Sequence, residues 1–160
     1  MLNDPAVTHA TFVLERSFKA KPSTVFAALS DPAIKRGWYA ENDTHEVIQF
    51  DSDCRPGGAD NLHYRFGEGT PFPGAILAND GAYQDVVPDE RIVSTSTMKL
   101  GGRAISVSLT TFELIPTELG TDLVCTNQVA FFAGSDGPVM REEGWRIQLD
   151  NLRKAIESQA

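Results

Sequence analysis

The chain has 160 residues and a formal net charge of −8 at pH 7, with 14 lysine and arginine residues against 22 aspartate and glutamate residues. This acidic balance argues against a protein that binds nucleic acid through its phosphates, because such binding requires clustered positive charge. Hydrophobic residues make up 41% of the chain and charged residues 22%, which is typical of a folded domain. We expect one domain over residues 1–160, with its core at about 10–157.

The first predicted element is a strand over residues 11–18, because residues of one alternating phase are mostly apolar. Arg16 falls in the same inward phase as these apolar residues. We expect it to pair with Glu113 or Glu142 in the interior, or to reach water along its long side chain.

Two short helices follow the first strand. Pro22 suits the first turn of a helix, and Val25 and Leu29 lie on one face of that helix. Asp31 is a good N-cap for the second helix, because its carboxylate can accept a hydrogen bond from the backbone of the first turn. Pro32 then takes the first helical position.

Residues 45–132 contain six predicted strands, separated by turns rich in glycine, proline and aspartate. The strands are at residues 45–50, 61–66, 75–87, 91–100, 103–115 and 121–132. Their short connections predict an antiparallel meander, and Gly101-Gly102 is typical of a two-residue hairpin turn.

The two strands at 103–115 and 121–132 alternate apolar and polar residues. In the first of them, Ile105, Val107 and Leu109 alternate with two serines and a threonine. Such alternation predicts a sheet with a dry face, made by the apolar phase, and a wet face, made by the polar phase.

The last predicted element is an amphipathic helix that ends at Ser158. Its apolar stripe consists of Trp145, Leu149, Leu152 and Ile156, at spacings of 4, 3 and 4. About 20 helical residues extend for about 30 Å, which is enough to cross a whole sheet. The sequence predicts an α+β fold: a curved antiparallel sheet wrapped around the long C-terminal helix, with two short helices after the first strand. A gap between such a sheet and its helix is a common place for an apolar cavity.

The sequence also indicates where in the cell the protein is located. Cys54 and Cys125 are the only cysteines and neither belongs to a CxxC motif, so we expect no disulfide framework. No apolar stretch approaches the roughly 18 residues of a membrane span, and the first residues lack the pattern of a secretory signal. We therefore expect a cytoplasmic protein without a membrane span.

Six short segments occur in the order found in one protein family. They are ERSFKA at 15–20, VFAALSDP at 25–32, RGWY at 36–39, DCRPGG at 53–58, GAYQDVVPDERIV at 81–93 and EEGW at 142–145. Through them the chain resembles the family named for the activator of heat shock protein 90 ATPase, within the START-like (SRPBCC) helix-grip superfamily. The resemblance implies a sheet that grips the C-terminal helix around a hydrophobic cavity. Relatives include bacterial proteins of undefined role, a co-chaperone domain, and proteins that bind lipids, aromatic polyketides or hormones.

Six residues are candidates for contact with a ligand in such a cavity. Trp38, Tyr39, Tyr83 and Trp145 would supply apolar contact. The alternative is a place in the core for Trp38, Tyr39 and Trp145 and a solvent-facing position for Tyr83. His63 and Arg65 alternate with apolar residues in the predicted strand at 61–66. If their phase faces inward, they orient a polar group of the ligand; if it faces outward, they are ordinary surface residues.

The sequence contains no recognisable motif for catalysis or for nucleotide binding. His45, Cys54 and His63 are the only group of typical metal ligands, and their spacings of nine residues match no compact zinc pattern. We therefore expect no catalytic residue, no metal and no cofactor.

These observations favour a protein that binds a small apolar or aromatic molecule in an internal cavity. One alternative is a co-chaperone-like module that contacts a protein partner and stimulates an ATPase of the heat shock protein 90 type. The other is a cyclase- or hydrolase-like enzyme with His63 as its acid/base group. The sequence leaves the oligomeric state open.

Overall fold

The computed structural model describes residues 6–159, and its strands form one antiparallel sheet of seven strands in the order β1-β7-β6-β5-β4-β3-β2. The elements, in chain order, are β1 (Thr8–Phe18), α1 (Pro22–Ser30), α2 (Pro32–Lys35), a π-helical segment (Arg36–Ala40), β2 (His45–Ser52), β3 (Ala59–Phe66), β4 (Ile76–Val87), β5 (Arg91–Leu100), β6 (Arg103–Pro116), β7 (Thr121–Phe131) and α3 (Gly137–Ser158). This arrangement confirms the predicted α+β helix-grip fold.

The sheet curves around α3. β1 pairs with β7 along its whole length, so the first strand closes one side of the meander. Register shifts interrupt the β2–β3, β4–β5 and β5–β6 pairs. Such bulges bend a strand and increase its twist. The side of the sheet formed by β2 to β6 can therefore curl towards the helix.

The hairpin between β5 and β6 has the predicted turn. Gly101 and Gly102 have φ angles of 58° and 82°, and they connect Leu100 directly to Arg103. Two central residues with positive φ match the right-handed twist of the flanking strands. Glycine adopts this conformation without the steric penalty of a Cβ atom.

The apolar residues in the inward phase of β1 are buried as expected. Of the two alternatives for Arg16, the interior pair with Glu113 or Glu142 is wrong, and the partly exposed side chain instead extends towards water. Arg16 approaches Asp150 of α3, with 3.8 Å between its Nη2 and a carboxylate oxygen. It pairs with neither Glu113 nor Glu142, because α3 passes over β1 and brings Asp150 to the end of the arginine side chain. Arg153 also donates to the backbone oxygen of Ser17, at 3.0 Å, so two arginines join α3 to β1.

The two short helices are fixed to each other by hydrogen bonds. Asp31 accepts from the backbone N–H of Ala33 at 2.9 Å, which confirms it as the N-cap of α2. The indole N–H of Trp38, in the π-helical segment, donates to the backbone oxygen of Ala28 in α1 at 2.8 Å. The buried Trp38 side chain therefore has its polar atom satisfied.

The hydrophobic core occupies the part of the molecule under the C-terminal half of α3. Leu149, Leu152 and Ile156 are buried there with Leu14 of β1 and Leu123 of β7. The N-terminal half of α3 lies over a different region, which is not filled by side chains.

From Ser106 onwards the structure reverses the predicted faces of β6, whereas Ile105 of the predicted apolar phase is buried beside the irregularity in the β5–β6 pair. Ser106 and Thr110 are buried, whereas Val107 is 41% exposed on the outer face. The reason is the register with β7, in which Ser108 lies opposite the buried Val129. Directly opposite residues share one face of a sheet, so β7 places the polar phase of β6 inside. The alternation of apolar and polar residues does not show which phase faces inward, because an inner face that borders a cavity can be polar.

Candidate functional site

A cavity of about 560 Å³ lies between β3 to β6 and the N-terminal half of α3. This volume is in the range of pockets that hold small molecules and cofactors. On α3 its lining includes Met140, Arg141, Gly144, Trp145 and Gln148. The cavity therefore lies beside the core and is enclosed by the curved sheet and the long helix.

The four aromatic residues predicted from the sequence all line this cavity. Trp38 and Tyr39 contact each other edge to face, with ring centroids 5.6 Å apart. Trp145 packs in the same way against Phe112, at 6.0 Å. Trp38 also belongs to the hydrophobic core, so its two alternatives describe two sides of the same ring. Tyr83 is buried in that core too, and therefore does not face solvent.

The other two predicted residues, His63 and Arg65, lie on the outer face of β3. The Nε2 of His63 is 2.7 Å from a carboxylate oxygen of Asp80, and Arg65 approaches Glu46 at 3.7 Å. Neither lines the cavity, which is bordered instead by the opposite phase of the strand. The alternative that treats them as surface residues is therefore the one that describes the structure. His63 cannot act on a molecule held inside the cavity.

The inward phase of β3 contributes a further aromatic residue to the cavity, one that the sequence did not single out. Tyr64 lines the cavity and stacks on His45, with ring centroids 3.8 Å apart. The Nε2 of His45 donates to the backbone oxygen of Ala40 at 2.6 Å, which fixes the orientation of the ring. Burial raises the pKa of Tyr64 to about 12.

A buried charge pair closes one end of the cavity. The ammonium group of Lys35 donates to a carboxylate oxygen of Asp60 at 2.7 Å and to the hydroxyl of Tyr83 at 3.0 Å. Ser52 shares a hydrogen bond of 2.7 Å with the same hydroxyl. Burial is the largest influence and disfavours the ammonium form, but the charge of Asp60, its hydrogen bond and the neighbouring Tyr83 and Tyr39 together outweigh it and raise the pKa of Lys35 above its ordinary value. Lys35 is therefore a cation with a fixed partner, and not a nucleophilic amine.

A second charge pair lies near the start of α3. The guanidinium of buried Arg141 donates to both carboxylate oxygens of Asp136, each at 2.8 Å, and to the hydroxyl of Ser106 at 2.9 Å. Partial burial opposes ionisation of Asp136, but these hydrogen bonds outweigh it and lower the pKa of the carboxyl group. The pair connects α3 to the inner face of β6.

The sheet side of the cavity carries a group of hydroxyls. Ser94 and Ser96 of β5 line it together with Ser108 and Thr110 of β6. Ser94 lies opposite Thr110, and Ser96 lies opposite Ser108, so the four residues form a compact block. We call these four residues the hydroxyl floor. Thr110 donates to the buried amide of Asn127 at 2.9 Å.

The wall near Tyr39 also contains unused hydrogen-bonding capacity. Asn79 donates to the Tyr39 hydroxyl at 3.2 Å, and Gln148 donates to the Tyr39 backbone oxygen at the same distance. The side-chain oxygens of both amides are buried and lack a partner among residues 6–159. A buried acceptor without a partner costs about 1–3 kcal/mol, so this wall gains if a donor reaches it.

The cavity reaches the surface between the β3–β4 connection and the start of α3. Phe72 and Met140 both line it, yet their side chains are 56% and 67% exposed. We call the gap between these two residues the mouth. Pro71 also contributes to the lining, so the proline-containing connection shapes the opening.

Residues 6–159 contain neither a cluster of metal ligands nor a helix that could cross a membrane. Within residues 6–159, no three His, Cys, Asp or Glu side chains come together in a way that could hold a metal ion. None of the helices in that range combines the length and the apolar character needed to cross a bilayer. Cys54 and Cys125 are both free thiols.

Comparison with known proteins identifies the family. A family profile described as "Activator of Hsp90 ATPase homolog 1-like protein" matches residues 19–157. The chain belongs to this family. The match confirms the resemblance inferred from the sequence segments.

Solved structures of similar proteins share the whole fold of this family member. A protein from Rhizobium leguminosarum is 38% identical, with a TM-score of 0.87 over 95% of this chain and 97% of that chain. A protein from Rhizobium loti is also 38% identical, with a TM-score of 0.82 over 94% of this chain and 99% of that chain. A protein from Chromobacterium violaceum is 26% identical, with a TM-score of 0.74 over 92% and 97% of the two chains. A search of curated proteins found no match.

Proposed function

We propose that this protein binds a small, largely apolar molecule in the cavity between the sheet and α3. The observation that carries the proposal is the cavity itself, about 560 Å³ in volume and open at the mouth. Its aromatic and aliphatic lining offers the apolar contact that provides most of the affinity in such sites. The fold of the family is consistent with this role.

The position of the cavity also supports binding rather than a packing defect. Folded proteins are close-packed, and the few empty spaces in a domain are normally small. The core under the C-terminal half of α3 is filled by Leu149, Leu152 and Ile156. The N-terminal half instead presents Gly144 to the cavity, a residue whose missing side chain leaves the space open.

The proposal is tested by screening lipids and aromatic compounds for an increase in melting temperature and a change in tryptophan fluorescence. A ligand that binds only the native state raises the melting temperature. Trp38 and Trp145 are the two tryptophans of the chain and both line the cavity. Binding should therefore also change their emission.

The location of binding is tested with a matched pair of variants. Gly144→Leu places a side chain at the cavity wall, where no heavy atom lies within 4 Å of the added Cβ. We expect it to weaken binding by about tenfold or more, since it takes up ligand volume. Gly37→Leu also has open space around the added Cβ but does not line the cavity, so it serves as the control. A screen without any hit, or a hit equally bound by Gly144→Leu, would contradict the proposal.

A second candidate function is a co-chaperone-like interaction with a protein partner. The family match favours it, and three apolar side chains on α3 are largely exposed. Val139 is 83% exposed, Met140 67% and Ile147 53%. The test is binding to a heat shock protein 90 type ATPase, with the ATPase rate as readout. Absence of both binding and rate change at tens of micromolar would remove this candidate.

A further inference from the structure

The hydroxyl floor adds uncharged donors and acceptors to a cavity that is otherwise lined mainly by apolar groups, two charge pairs and the amides near Tyr39. Ser94, Ser96 and Ser108 line the cavity and are partly buried, and within residues 6–159 Thr110 is the one member of the floor whose hydroxyl bonds to another side chain. A hydroxyl that faces an apolar molecule loses its hydrogen bonds to water and gains nothing in return. A ligand without a polar group would therefore leave these hydroxyls without hydrogen-bond partners.

Apolar side chains adjoin the floor on both the helix and the sheet. Trp145 of α3 lines the cavity and packs on Phe112, and Met98 and Leu100 continue the inward phase of β5 beyond the serines. A bound molecule thus meets hydroxyls in the middle of the sheet and rings or aliphatic groups next to them, with the amides and the charge pairs at other parts of the wall. This asymmetry fits a flat or elongated ligand with a polar group on one edge.

The charges of the lining are already paired. In the described part of the chain, the lysine and the arginine that line the cavity each have a carboxylate partner, in the pairs Lys35–Asp60 and Arg141–Asp136. Both pairs are short, at 2.7 and 2.8 Å. His45, the remaining basic residue of the lining, donates to a backbone oxygen. A charged ligand would be desolvated without a free counter-ion, which is costly.

We infer that the ligand is an uncharged molecule with an apolar ring or chain body and a hydroxyl or carbonyl group, and that this group hydrogen-bonds to the hydroxyl floor. The inference rests on the proposed function and specifies its ligand class. Serine hydroxyls both donate and accept, so either kind of polar group is accommodated. Ser96 and Ser108, which lie opposite each other at the centre of the floor, are the residues that set this preference.

The experiment compares three tricyclic probes that differ in one substituent: 9-phenanthrol, 9-methylphenanthrene and phenanthrene-9-carboxylate. Dissociation constants are measured by isothermal titration calorimetry. We expect the phenol to bind about fivefold more tightly than the methyl compound, which corresponds to one net hydrogen bond. We expect the carboxylate to bind at least about tenfold more weakly than the phenol, because no free cation receives it.

Variants assign the preference to the floor. The double variant Ser96→Ala/Ser108→Ala should bind the phenol about fivefold more weakly and the methyl compound at least as tightly as the unchanged protein. Thr97→Ala, on the outer face of the same strand, is the control and should retain the preference. The melting temperature of each variant is measured to verify folding, and Ser96→Ala and Ser108→Ala are also made singly.

The outcomes separate this inference from the proposed function. Equal binding of the phenol and the methyl compound overturns the inference and leaves a purely apolar site. A preference for the phenol that survives in the double variant also overturns it, because another polar group of the lining then recognises the hydroxyl. Tightest binding by the carboxylate overturns it as well. Failure of all three probes to bind overturns both the inference and the proposed function for aromatic guests. A preference lost only in the serine variants supports both.

Discussion

At the scale of single residues, the most consequential group is the buried pair of Lys35 and Asp60. Their side chains are 9% and 16% exposed, and the ammonium group also contacts the Tyr83 hydroxyl. Buried ion pairs contribute little net stability, because desolvation offsets their attraction. Removal of one partner is different, since the remaining charge stays buried without compensation.

We predict that Lys35→Met lowers the free energy of unfolding by about 3 kcal/mol, since it leaves the Asp60 carboxylate without its cation. Urea denaturation at pH 7 is the measurement. Arg36→Met is the matched control, because its pair with Glu41 is 45% and 60% exposed and should be worth less than about 1 kcal/mol. A Lys35→Met variant as stable as this control would show that the carboxylate does not depend on its partner.

The sequence could reveal the aromatic part of the site but not its polar part. Tyr83 and Trp145 stand out because large rings in amphipathic segments are few and conspicuous. Lys35 and Asp60 are 25 residues apart, in a helix and a strand that both read as ordinary surface sequence. Only the packing of α2 against the sheet brings their charges together. A charged residue in an otherwise apolar helical face is the sole local sign of such a pair.

At the scale of elements, turn chemistry and periodicity predicted the strands and helices, because both are local properties. β5, for example, begins and ends at the predicted residues 91 and 100. The orientation of β6 was not predictable in this way. Its serines face inward because β7 sets the register, which depends on residues about 20 positions further along the chain. In sequence, a strand whose polar phase lines a cavity has the same alternation as a strand whose polar phase faces solvent.

Two glycines test how the elements enclose the cavity. We predict that Gly144→Ala raises the free energy of unfolding by about 0.5–1 kcal/mol, since glycine is unfavourable inside a helix and the added Cβ meets no heavy atom within 4 Å. Thermal or urea denaturation measures the change.

Gly81→Ala provides the contrast, because the same substitution in β4 has no room. A Cβ atom at residue 81 would overlap the backbone oxygen of Thr95, on the neighbouring strand β5. We expect this variant to lose at least about 1 kcal/mol, as in other overpacked positions. If both variants changed stability in the same direction, space around the Cβ would not be the deciding factor.

At the scale of the whole molecule, the cavity results from the way a curved sheet meets a straight helix. The order of elements predicts such a gap, but its size depends on side-chain packing that sequence patterns do not specify. All three tyrosines of the chain, Tyr39, Tyr64 and Tyr83, come from different elements and meet at this cavity. Their ionisation therefore reports on the integrity of the whole enclosure.

The tyrosines make a prediction at alkaline pH. Burial raises the pKa of Tyr64 and of Tyr83 to about 12, and it raises the pKa of Tyr39 as well. A pKa raised in the folded state gives a stabilising contribution that is complete below the unfolded value of about 10 and is lost as the pH rises to the folded value. Each fully shifted tyrosine should lower the free energy of unfolding by roughly 1.4 kcal/mol per pH unit in that range.

Absorbance at 295 nm measures the ionisation directly. In the native protein the titration should have its midpoint well above pH 10, and in concentrated urea it should return to about 10. Tyr64→Phe is the informative variant, because within residues 6–159 the Tyr64 hydroxyl has no hydrogen-bond partner and its ring stacks on His45. It should leave stability at pH 7 nearly unchanged and make the alkaline decline shallower. A native midpoint near pH 10 would mean that water reaches the phenols freely, and that the cavity is more open than its lining indicates.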